Sequence, residues 1–493
     1  MSRNCDWLCK LALSSAVALL GGWGLDPSSP AVSIGKPEAE DSNLPGCVLL
    51  SRNLRAALSN DSPSLTLWTN RRWRIAVLLG IGVIVNFFDR VNLSVAITPL
   101  KNEFGLSTVA IGYLLSTYSW TYVLLQLPSG PVLDRFGVKP VIRISAFLWS
   151  VASFATGLAR GFVGIVTARL LLGIAEAPTF PGNAKAIGVW FPRSERGLAT
   201  AIFDSSAKFA SAIGIPLVAL IIHYWGWRMS FIATGVLSLV YFALFWGIYR
   251  DPCGDAALSL AEREHIAVGG AQNEAVVDPR HEASLWFLLR RKKVWGLSLG
   301  MAAYNYNFYL FLTWLPGYLN TALHLDILRS GFFTAIPWLA ATVSGLVVGG
   351  WLVDYLIRSG HDSTRVRQTI LVGGLVLALA VAGATRTNDP HIATFWISVA
   401  LCGLAASAPV GWSIPALIAP PGSTARVAGI MNFVANLPAI LAPVITGYLV
   451  GDSQSFRRPF LVAAAVLVAG ILSYIFLLGK IETIPAPVAT SSR

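Results

Sequence analysis

The stretch RRWRIAVLLGIGVIVNFFDRVNLSVA, residues 71–96, indicates a membrane-spanning helix, because a basic cluster is followed directly by an apolar run long enough to cross a bilayer. Deep inside that run, Asp89 and Arg90 stand side by side. In a helix Asp89 lies roughly 22 Å from Arg74, beyond the midpoint of a hydrocarbon core about 30 Å thick. A charge inside the membrane costs at least about 2.5–3.5 kcal/mol on insertion scales, so both residues are predicted to have a function.

The composition of the whole chain is that of a membrane protein. Of its 493 residues, 55% are hydrophobic and 13% are charged, whereas soluble domains carry about 25% charged residues. The apolar runs are of helical length, and they lack the alternation of barrel strands. We therefore predict an all-α polytopic membrane protein. Its twelve expected spans are 75–99, 109–133, 138–159, 162–190, 197–224, 228–249, 294–320, 330–357, 368–386, 391–418, 426–450 and 458–479.

The basic residues predict the orientation of these spans. They collect on alternate loops, and the positive-inside rule makes those loops cytoplasmic. An even number of spans puts both ends of the core on this cytoplasmic side, and we expect the protein to lie in the inner (cytoplasmic) membrane. Because the net charge of +12 is spread over several loops, no nucleic-acid partner is expected. The basic residues of these loops are Arg71, Arg72, Arg74, Arg135, Lys139, Arg193, Arg196, Arg290, Arg291, Lys292, Lys293, Arg358, Arg365 and Arg367.

Five segments are predicted along the chain. Residues 1–70 are predicted to be an N-terminal extension that is disordered or results from an over-extended start site. The alternative is a signal peptide or a further membrane segment. Residues 71–250 form the N-terminal six-helix half and residues 294–480 the C-terminal half. The polar residues 251–293 form a cytoplasmic linker, and residues 481–493 a cytoplasmic tail.

The two halves repeat one another. GPVLDRFG at 130–137 is echoed by GWLVDYLIRSG at 350–360, and ERGLATAIF at 195–203 by ARVAGIMNF at 425–433. The second echo aligns Arg196 with Arg426. Two echoes in order at similar offsets predict pseudo-symmetric halves related by an axis along the membrane normal.

The fourth span holds a second set of charges. Arg169 and Glu176 are seven residues apart, which is two helical turns, so they share one face. Asp89 and Arg90 diverge by about 100° on their helix, so each needs its own partner. We expect those partners to include Arg169 and Glu176. The alternative is that the four charges only lock two helices together.

The polar groups inside the other spans are interpreted as structural partners or as neutral contacts. Asp204 and Lys208 are four residues apart in the fifth span, and for them we favour mutual neutralisation, a structural role. The interiors of the seventh, tenth and eleventh spans carry no charge and offer amides and aromatic rings instead, among them Trp412, Asn432 and Asn436. Buried amides need partners from a neighbouring helix or from a ligand.

Several classes of protein are excluded by the motifs that the chain lacks. It has no nucleotide-binding GxxxxGK, no HExxH and no GxSxG, so neither an enzyme nor a transporter driven by its own ATP hydrolysis is expected. Its five cysteines do not show the spacing of a zinc site or a disulfide framework. No metal and no cofactor is therefore expected.

Three stretches resemble the motifs of a known family. The loop GPVLDRFGVK at 130–139 is similar to the signature between the second and third spans of the major facilitator superfamily. NFFDRVNLSVA at 86–96 and ARLLLGIAEAPTFPGNAKAIGVWFPRSERGLA at 168–199 resemble motifs of its anion:cation symporter family. That family includes bacterial proton-coupled transporters of galactonate, glucarate and hexuronates. The resemblance covers about residues 71–480 and implies the major facilitator fold; the chain departs from it at Phe87, where tyrosine is common.

The resemblance also implies roles for individual residues. Asp89 and Glu176 match the acids tied to proton coupling. Arg90 and Arg169 match arginines of which one contacts the substrate carboxylate and the other supports the acidic pair. The further matching residues are Tyr122, Trp412 and Asn432 in substrate binding, and Asp134 and Arg135 in the conformational-gating motif.

Together these observations predict a secondary active transporter. We expect proton-coupled symport of an organic carboxylate, a sugar acid above all, by alternating access in a monomer embedded in the lipid bilayer. A uniporter or exporter of another small solute on the same fold is the alternative, followed by a membrane sensor that binds the anion without transport.

Overall fold

The computed structural model describes residues 70–192, 195–271, 283–420, 423–451 and 455–485. The predictions for residues 1–69, for Arg193, for the middle of the linker and for the end of the tail lie outside the described residues. Within them the regular structure is entirely helical, which confirms the predicted all-α class.

The N-terminal half consists of helices that follow the predicted spans closely. The predicted fourth span is two helices, because Pro178 has no N–H for the ladder and the first helix ends at Glu176. The carboxylate of Glu176 thus lies at a break in the span. The helices are α1 Arg71–Val95, α2 Ile97–Phe104, α3 Thr108–Phe136, α4 Val138–Leu158, α5 Phe162–Glu176, α6 Thr179–Trp190, α7 Arg196–Trp225 and α8 Trp227–Ile248.

The linker and the C-terminal half complete the bundle. The tenth span is broken at Pro415, which is the counterpart in the second half of the break at Pro178. The eighth span continues from α12 through the π-helical turn Gly345–Leu352 into α13, and the ninth ends as the 3-10 helix Leu379–Arg386. The helices are α9 Leu260–Val268, α10 Leu285–Leu289, α11 Lys292–Thr321, α12 Ile327–Ser344, α13 Val353–Arg358, α14 Ser363–Ala378, α15 Pro390–Ser413, α16 Pro415–Ile418, α17 Thr424–Asn436, α18 Pro438–Val450 and α19 Arg457–Leu472.

Ten helical segments of the described chain are long and apolar enough to cross a membrane. The predicted spans 109–133 and 294–320 are not among them. They correspond to α3 and α11, which have 29 and 30 residues and are therefore long enough. Both helices carry many tyrosines, serines, threonines or asparagines, which lower their mean hydropathy. These two polar helices line the site described below.

The two halves meet closely at one end of the bundle, which we call the closed end; α3 begins there and α18 ends there. Thr98 donates a hydrogen bond to Asn320 across the halves, at 2.7 Å. The hydroxyls of Tyr113 and Tyr448 lie 3.1 Å apart, also across the halves. The opposite end, where α1 begins, carries the linker and is called the linker end.

Gly112 lets α3 cross α18 at the closed end. A Cβ on Gly112 would lie 2.7 Å from the carbonyl oxygen of Pro443, closer than real side chains approach. We therefore expect Gly112→Ala to weaken this contact and to populate a form open at this end. Spin labels at Asn102 and Asn388 should report a longer distance in Gly112→Ala. In the control Gly429→Ala, where a Cβ meets no atom within 4 Å, the distance should not change, and no change in Gly112→Ala either would refute the prediction.

The first part of the linker is clamped to the N-terminal half by ion pairs. Arg72 contacts Glu195 at 2.7 Å and Glu262 of α9 at 3.0 Å. Glu262 also accepts from the backbone N–H groups of Arg71 and Arg72, both at 3.0 Å, and so caps the start of α1. Burial acts to raise the pKa of Glu195, but hydrogen bonds from Arg72 and His265 outweigh it and hold that pKa below its ordinary value. Glu195 therefore contributes stability above the ordinary carboxyl range and loses it as the pH falls through the lowered value.

The far part of the linker is attached to the C-terminal half. The N–H of Ala283 donates to Ser423, at 2.8 Å, and its carbonyl accepts from Arg426, at 2.7 Å. Arg196, the residue aligned with Arg426 by the internal repeat, donates to the carbonyl of Gly270 at 3.0 Å. The two ends of the linker are thus held by equivalent positions in different halves.

Glu262 is predicted to keep α9 on the bundle. Glu262→Gln loses the charge opposite Arg72, so we expect faster amide hydrogen exchange throughout Leu260–Val268, with the membrane helices unchanged. The matched control is Glu264→Gln on the exposed face of the same helix, which should exchange like the unaltered protein. Equal protection of α9 in both variants would mean that the ion pairs do not hold it.

Candidate functional site

A buried ion pair joins the first and fourth spans. Arg90 Nε lies 3.1 Å from Glu176 Oε2, and the two side chains are 5% and 0% exposed. α5 approaches α3 closely at Gly173, where a Cβ would collide with the carbonyl of Tyr118. That close approach brings Glu176 to the tyrosines of α3. The sequence-based expectation that Glu176 partners a charge of the first span agrees with this geometry.

The guanidinium of Arg90 is enclosed by aromatic rings. Its Cζ lies 4.7–4.9 Å from the ring centroids of Tyr122, Phe87 and Tyr118, and 5.8 Å from that of Phe180. Such stacking stabilises a cation by roughly 0.5–2 kcal/mol for each well-placed ring. Phe87, the departure from the family pattern, acts here as a wall of the enclosure. Tyr122 lies in it, as a predicted substrate residue should.

The C-terminal half also reaches Arg90. The side chain of Tyr309, on α11, lies close enough to interact with the charge of Arg90 and with Tyr122. α11 belongs to the opposite half, so Arg90 lies at the interface between the two halves.

Asp89 has different surroundings from those expected. Its Oδ1 accepts from the hydroxyl of Ser153 at 2.5 Å, and its Oδ2 from that of Ser238 at 2.9 Å. Arg169 donates to the backbone carbonyl of Asp89, at 2.9 Å, and within the described chain no ion pair joins the two side chains. The expected Asp89–Arg169 charge pair is thus replaced by hydroxyl contacts, because Asp89 turns away from Arg90 toward α4 and α8.

Arg169 is buried beside the backbone of Asp89. It is 2% exposed, and its Cζ lies 5.0 Å from the ring centroid of Phe231. Within the described chain its Nε and Nη2 have no hydrogen-bond partner, and the same holds for Arg90 Nη2 and Glu176 Oε1. Buried polar groups are nearly always satisfied. Unmet donors on two arginines at one place are the property expected of an anion site.

The amides of the C-terminal half meet the N-terminal half at a separate point. Asn432 Nδ2 donates to Gln126 Oε1 at 3.2 Å, and Asn436 donates to Asn432 at 2.7 Å. Asn432 is therefore on the interface, as a substrate residue would be. Trp412 is 43% exposed, and the structure brings it into no hydrogen bond or ring contact with the residues around Arg90.

The two residues of the gating signature lie at the linker end of α3. Asp134 is paired with Lys185 of α6 at 2.9 Å, and its side chain is 75% exposed. Arg135 stacks on the neighbouring ring of Phe136, at 5.4 Å. The signature thus ties α3 to α6 in this form, and a role in gating remains a prediction.

Sequence reasoning missed several residues of the site. Serines are common in apolar spans, so nothing marked Ser153 and Ser238 as the partners of Asp89. The sequence motifs did not mark Tyr118 and Gln126 either, although both lie one helical turn from Tyr122 on α3, a spacing that would have found them. In the described part of the chain no three histidine, cysteine, aspartate or glutamate side chains come together as metal ligands would.

The chain is similar to a family profile and to several proteins described as transporters. A family profile described as Major Facilitator Superfamily matches residues 79–437. A Bacillus subtilis protein described as uncharacterized transporter YybO is 40% identical over 414 residues, 84% of this chain and 95% of that protein. The D-galactonate transporter of Escherichia coli O6:H1 is 33% identical over 420 residues, 84% of this chain and 97% of that protein. The probable galactarate/D-glucarate transporter GudP of Escherichia coli K12 is 33% identical over 443 residues, 87% and 98% of the two chains.

A solved structure shares the fold. The bacterial homologue of the human lysosomal transporter Spinster, in its inward-facing and unoccupied conformation, gives a TM-score of 0.67. The two chains are 17% identical, and the match covers 84% of this chain and 99% of the other. At this identity the likeness concerns the arrangement of the helices alone.

Proposed function

The chain belongs to the Major Facilitator Superfamily, and on that premise we propose that it carries out proton-coupled symport of organic carboxylates, sugar acids above all. That it is a membrane transporter and not an enzyme follows from the family and its relatives. The family prediction made from the sequence motifs is confirmed by the same comparisons. The coupling ion, the substrate and the working cycle are the proposal.

The observation that carries the proposal is the buried pair of Arg90 and Glu176, 3.1 Å apart at the interface of the halves. While Glu176 is ionised, it neutralises Arg90, and an entering anion gains little. Once Glu176 takes up a proton, Arg90 has an uncompensated positive charge. A carboxylate matches the planar, bidentate donor geometry of arginine, so it takes the place of the Glu176 charge. Proton and anion thereby favour each other's binding, as linkage requires.

Arg169 and Asp89 complete the charge balance of the proposal. The four charges of Asp89, Arg90, Arg169 and Glu176 sum to zero when all are ionised, and uncompensated charge is costly in the membrane. We assign Arg169 the supporting role, because it donates to the backbone of α1 beside Arg90. Asp89 is held by two hydroxyls, which can turn to serve either its ionised or its protonated form. It is the second proposed proton site.

The substrate class rests on neutral groups near Arg90 and elsewhere on the interface of the halves. Tyr122, Tyr309 and the interacting amides of Gln126 and Asn432 offer hydroxyl and amide groups to a hydroxylated ligand. Relatives named for galactonate and for galactarate or glucarate support the same class.

The cycle is proposed to be alternating access in the inner membrane. The basic residues at the linker end favour a cytoplasmic location for that end of the bundle and for both termini of a twelve-helix core. The contacts of the closed end would then face away from the cytoplasm, so the form described here would be the inward-facing one. The two halves rock about Arg90 to open the closed end instead. We propose a monomer as the working unit.

Uptake into proteoliposomes tests the function. Purified protein should accumulate labelled D-galactonate or D-glucarate above the outside concentration only when the lumen is more alkaline, and a protonophore should abolish the accumulation. Equilibration that ignores the pH gradient would indicate a uniporter. Binding without any flux would indicate a sensor, and either outcome would refute symport.

A further inference from the structure

A second ion pair lies in the membrane region on α7. Lys208 Nζ contacts Asp204 Oδ2 at 2.8 Å. The Lys208 side chain is 6% exposed and that of Asp204 is 30% exposed. An ammonium has three donors, and within the described chain Asp204 supplies its only side-chain or backbone acceptor. Two N–H donors of the buried Lys208 ammonium therefore have no acceptor within the described chain and are available to a ligand.

This second pair is linked to the Arg90 enclosure through packed rings. Phe203, the neighbour of Asp204, packs against Phe180 with ring centroids 6.0 Å apart. Phe180 is a wall of the enclosure, at 5.8 Å from the Cζ of Arg90. α7 therefore packs against the Arg90 enclosure through Phe203, and the second pair begins at the next residue of the same helix.

One helix of the opposite half faces both pairs. On α11, Tyr304 interacts with the charge of Asp204, and Tyr309 interacts with that of Arg90. The two tyrosines are five residues apart, which is about 7.5 Å along a helix. The two pairs are thus neighbours of two levels of α11, a helix of the opposite half.

We propose that Lys208 is a second carboxylate anchor, and that the site prefers sugar dicarboxylates, with one carboxylate on Arg90 and the other on Lys208. This rests on the proposed function and narrows its substrate class. Asp204 is the more exposed member of its pair, so water can replace the contact that it loses when Lys208 turns to the ligand. A monocarboxylate sugar acid would use Arg90 alone.

The relatives do not decide between these two classes. The transporter named for D-galactonate, a monocarboxylate, and the one named for galactarate and D-glucarate, both dicarboxylates, are each 33% identical to this chain. Overall identity therefore does not separate the two substrate classes, and the proposal rests on Lys208 of this chain.

Binding of D-glucarate and D-galactonate to the purified full-length chain tests the proposal. The unaltered protein should bind D-glucarate more tightly than D-galactonate. Lys208→Gln should weaken D-glucarate binding at least tenfold, which is about 1.4 kcal/mol, and change D-galactonate binding less than twofold. Lys208→Arg, which keeps the charge, should retain most of the D-glucarate affinity. Asp204→Asn, which leaves the ammonium in place, should bind D-glucarate at least as well as the unaltered protein.

The outcomes separate this inference from the function beneath it. The second anchor is overturned, while the carboxylate site at Arg90 stands, if the unaltered protein binds D-galactonate more tightly than D-glucarate. The same holds if Lys208→Gln weakens the binding of both ligands equally. If Lys208→Gln is well folded, with an unchanged melting temperature, and keeps its D-glucarate affinity, the anchor is likewise overturned. If the unaltered protein binds neither acid, the proposed function itself fails.

Discussion

Arg90→Gln is expected to abolish measurable binding of D-galactonate and D-glucarate alike. The side chain supplies the proposed carboxylate anchor, with Nη2 unpartnered within the described chain and aromatic rings that hold the guanidinium plane. Removing one partner of a buried charge pair typically costs about 2–5 kcal/mol, which is roughly a thirtyfold or greater loss of affinity. Isothermal titration of the purified protein measures it, and Arg160→Gln on the exposed surface should bind normally.

A complication is that Arg90→Gln leaves Glu176 buried without its partner. The double variant Arg90→Gln/Glu176→Gln removes both charges and replaces the ion pair with two amides of similar size. We expect this double variant to melt closer to the unaltered protein than Arg90→Gln does, and still to bind neither acid. Normal affinity in the folded double variant would rule out Arg90 as the anchor.

Hydropathy and charge placement were sufficient to predict much of the fold. Apolar runs bounded by basic loops marked the spans, and α3 and α11 were recognised by length even though their tyrosines and asparagines lower the hydropathy. The break after Glu176 was not predicted, although Pro178 gives its physical cause. An apolar pattern continues across a proline, whereas the hydrogen-bond ladder does not.

The candidate site was predictable only in part. Helix periodicity placed Arg169 and Glu176 on one face and showed that Asp89 and Arg90 must diverge, and the Arg90–Glu176 pair follows from that. The serine partners of Asp89 depend on the height and rotation of α4 and α8 against α1, which no periodicity determines. The contact of Gln126 with Asn432 joins the two halves, so it depends on the conformation of the whole molecule as well.

Glu176→Gln is expected to separate exchange from accumulation. The amide keeps the size of the side chain and an oxygen for Arg90 to contact, but it carries no charge and cannot release a proton. Arg90 is then permanently available to a carboxylate, as in the proposed protonated state. Substrate should still exchange for substrate across the membrane, while the return of the empty carrier no longer requires or releases a proton at this position.

Two assays on the same proteoliposomes measure this separation. Counterflow of labelled D-galactonate against unlabelled D-galactonate should stay within a few fold of the unaltered protein, whereas uptake driven by an alkaline lumen should fall to the level of simple equilibration. The control Glu264→Gln, a carboxylate on the exposed face of α9, should retain both activities. Gradient-driven accumulation by Glu176→Gln at the normal extent would exclude Glu176 from proton coupling and leave Asp89 as the remaining carboxylate of the Arg90 region, since its two hydroxyl partners can follow either protonation state.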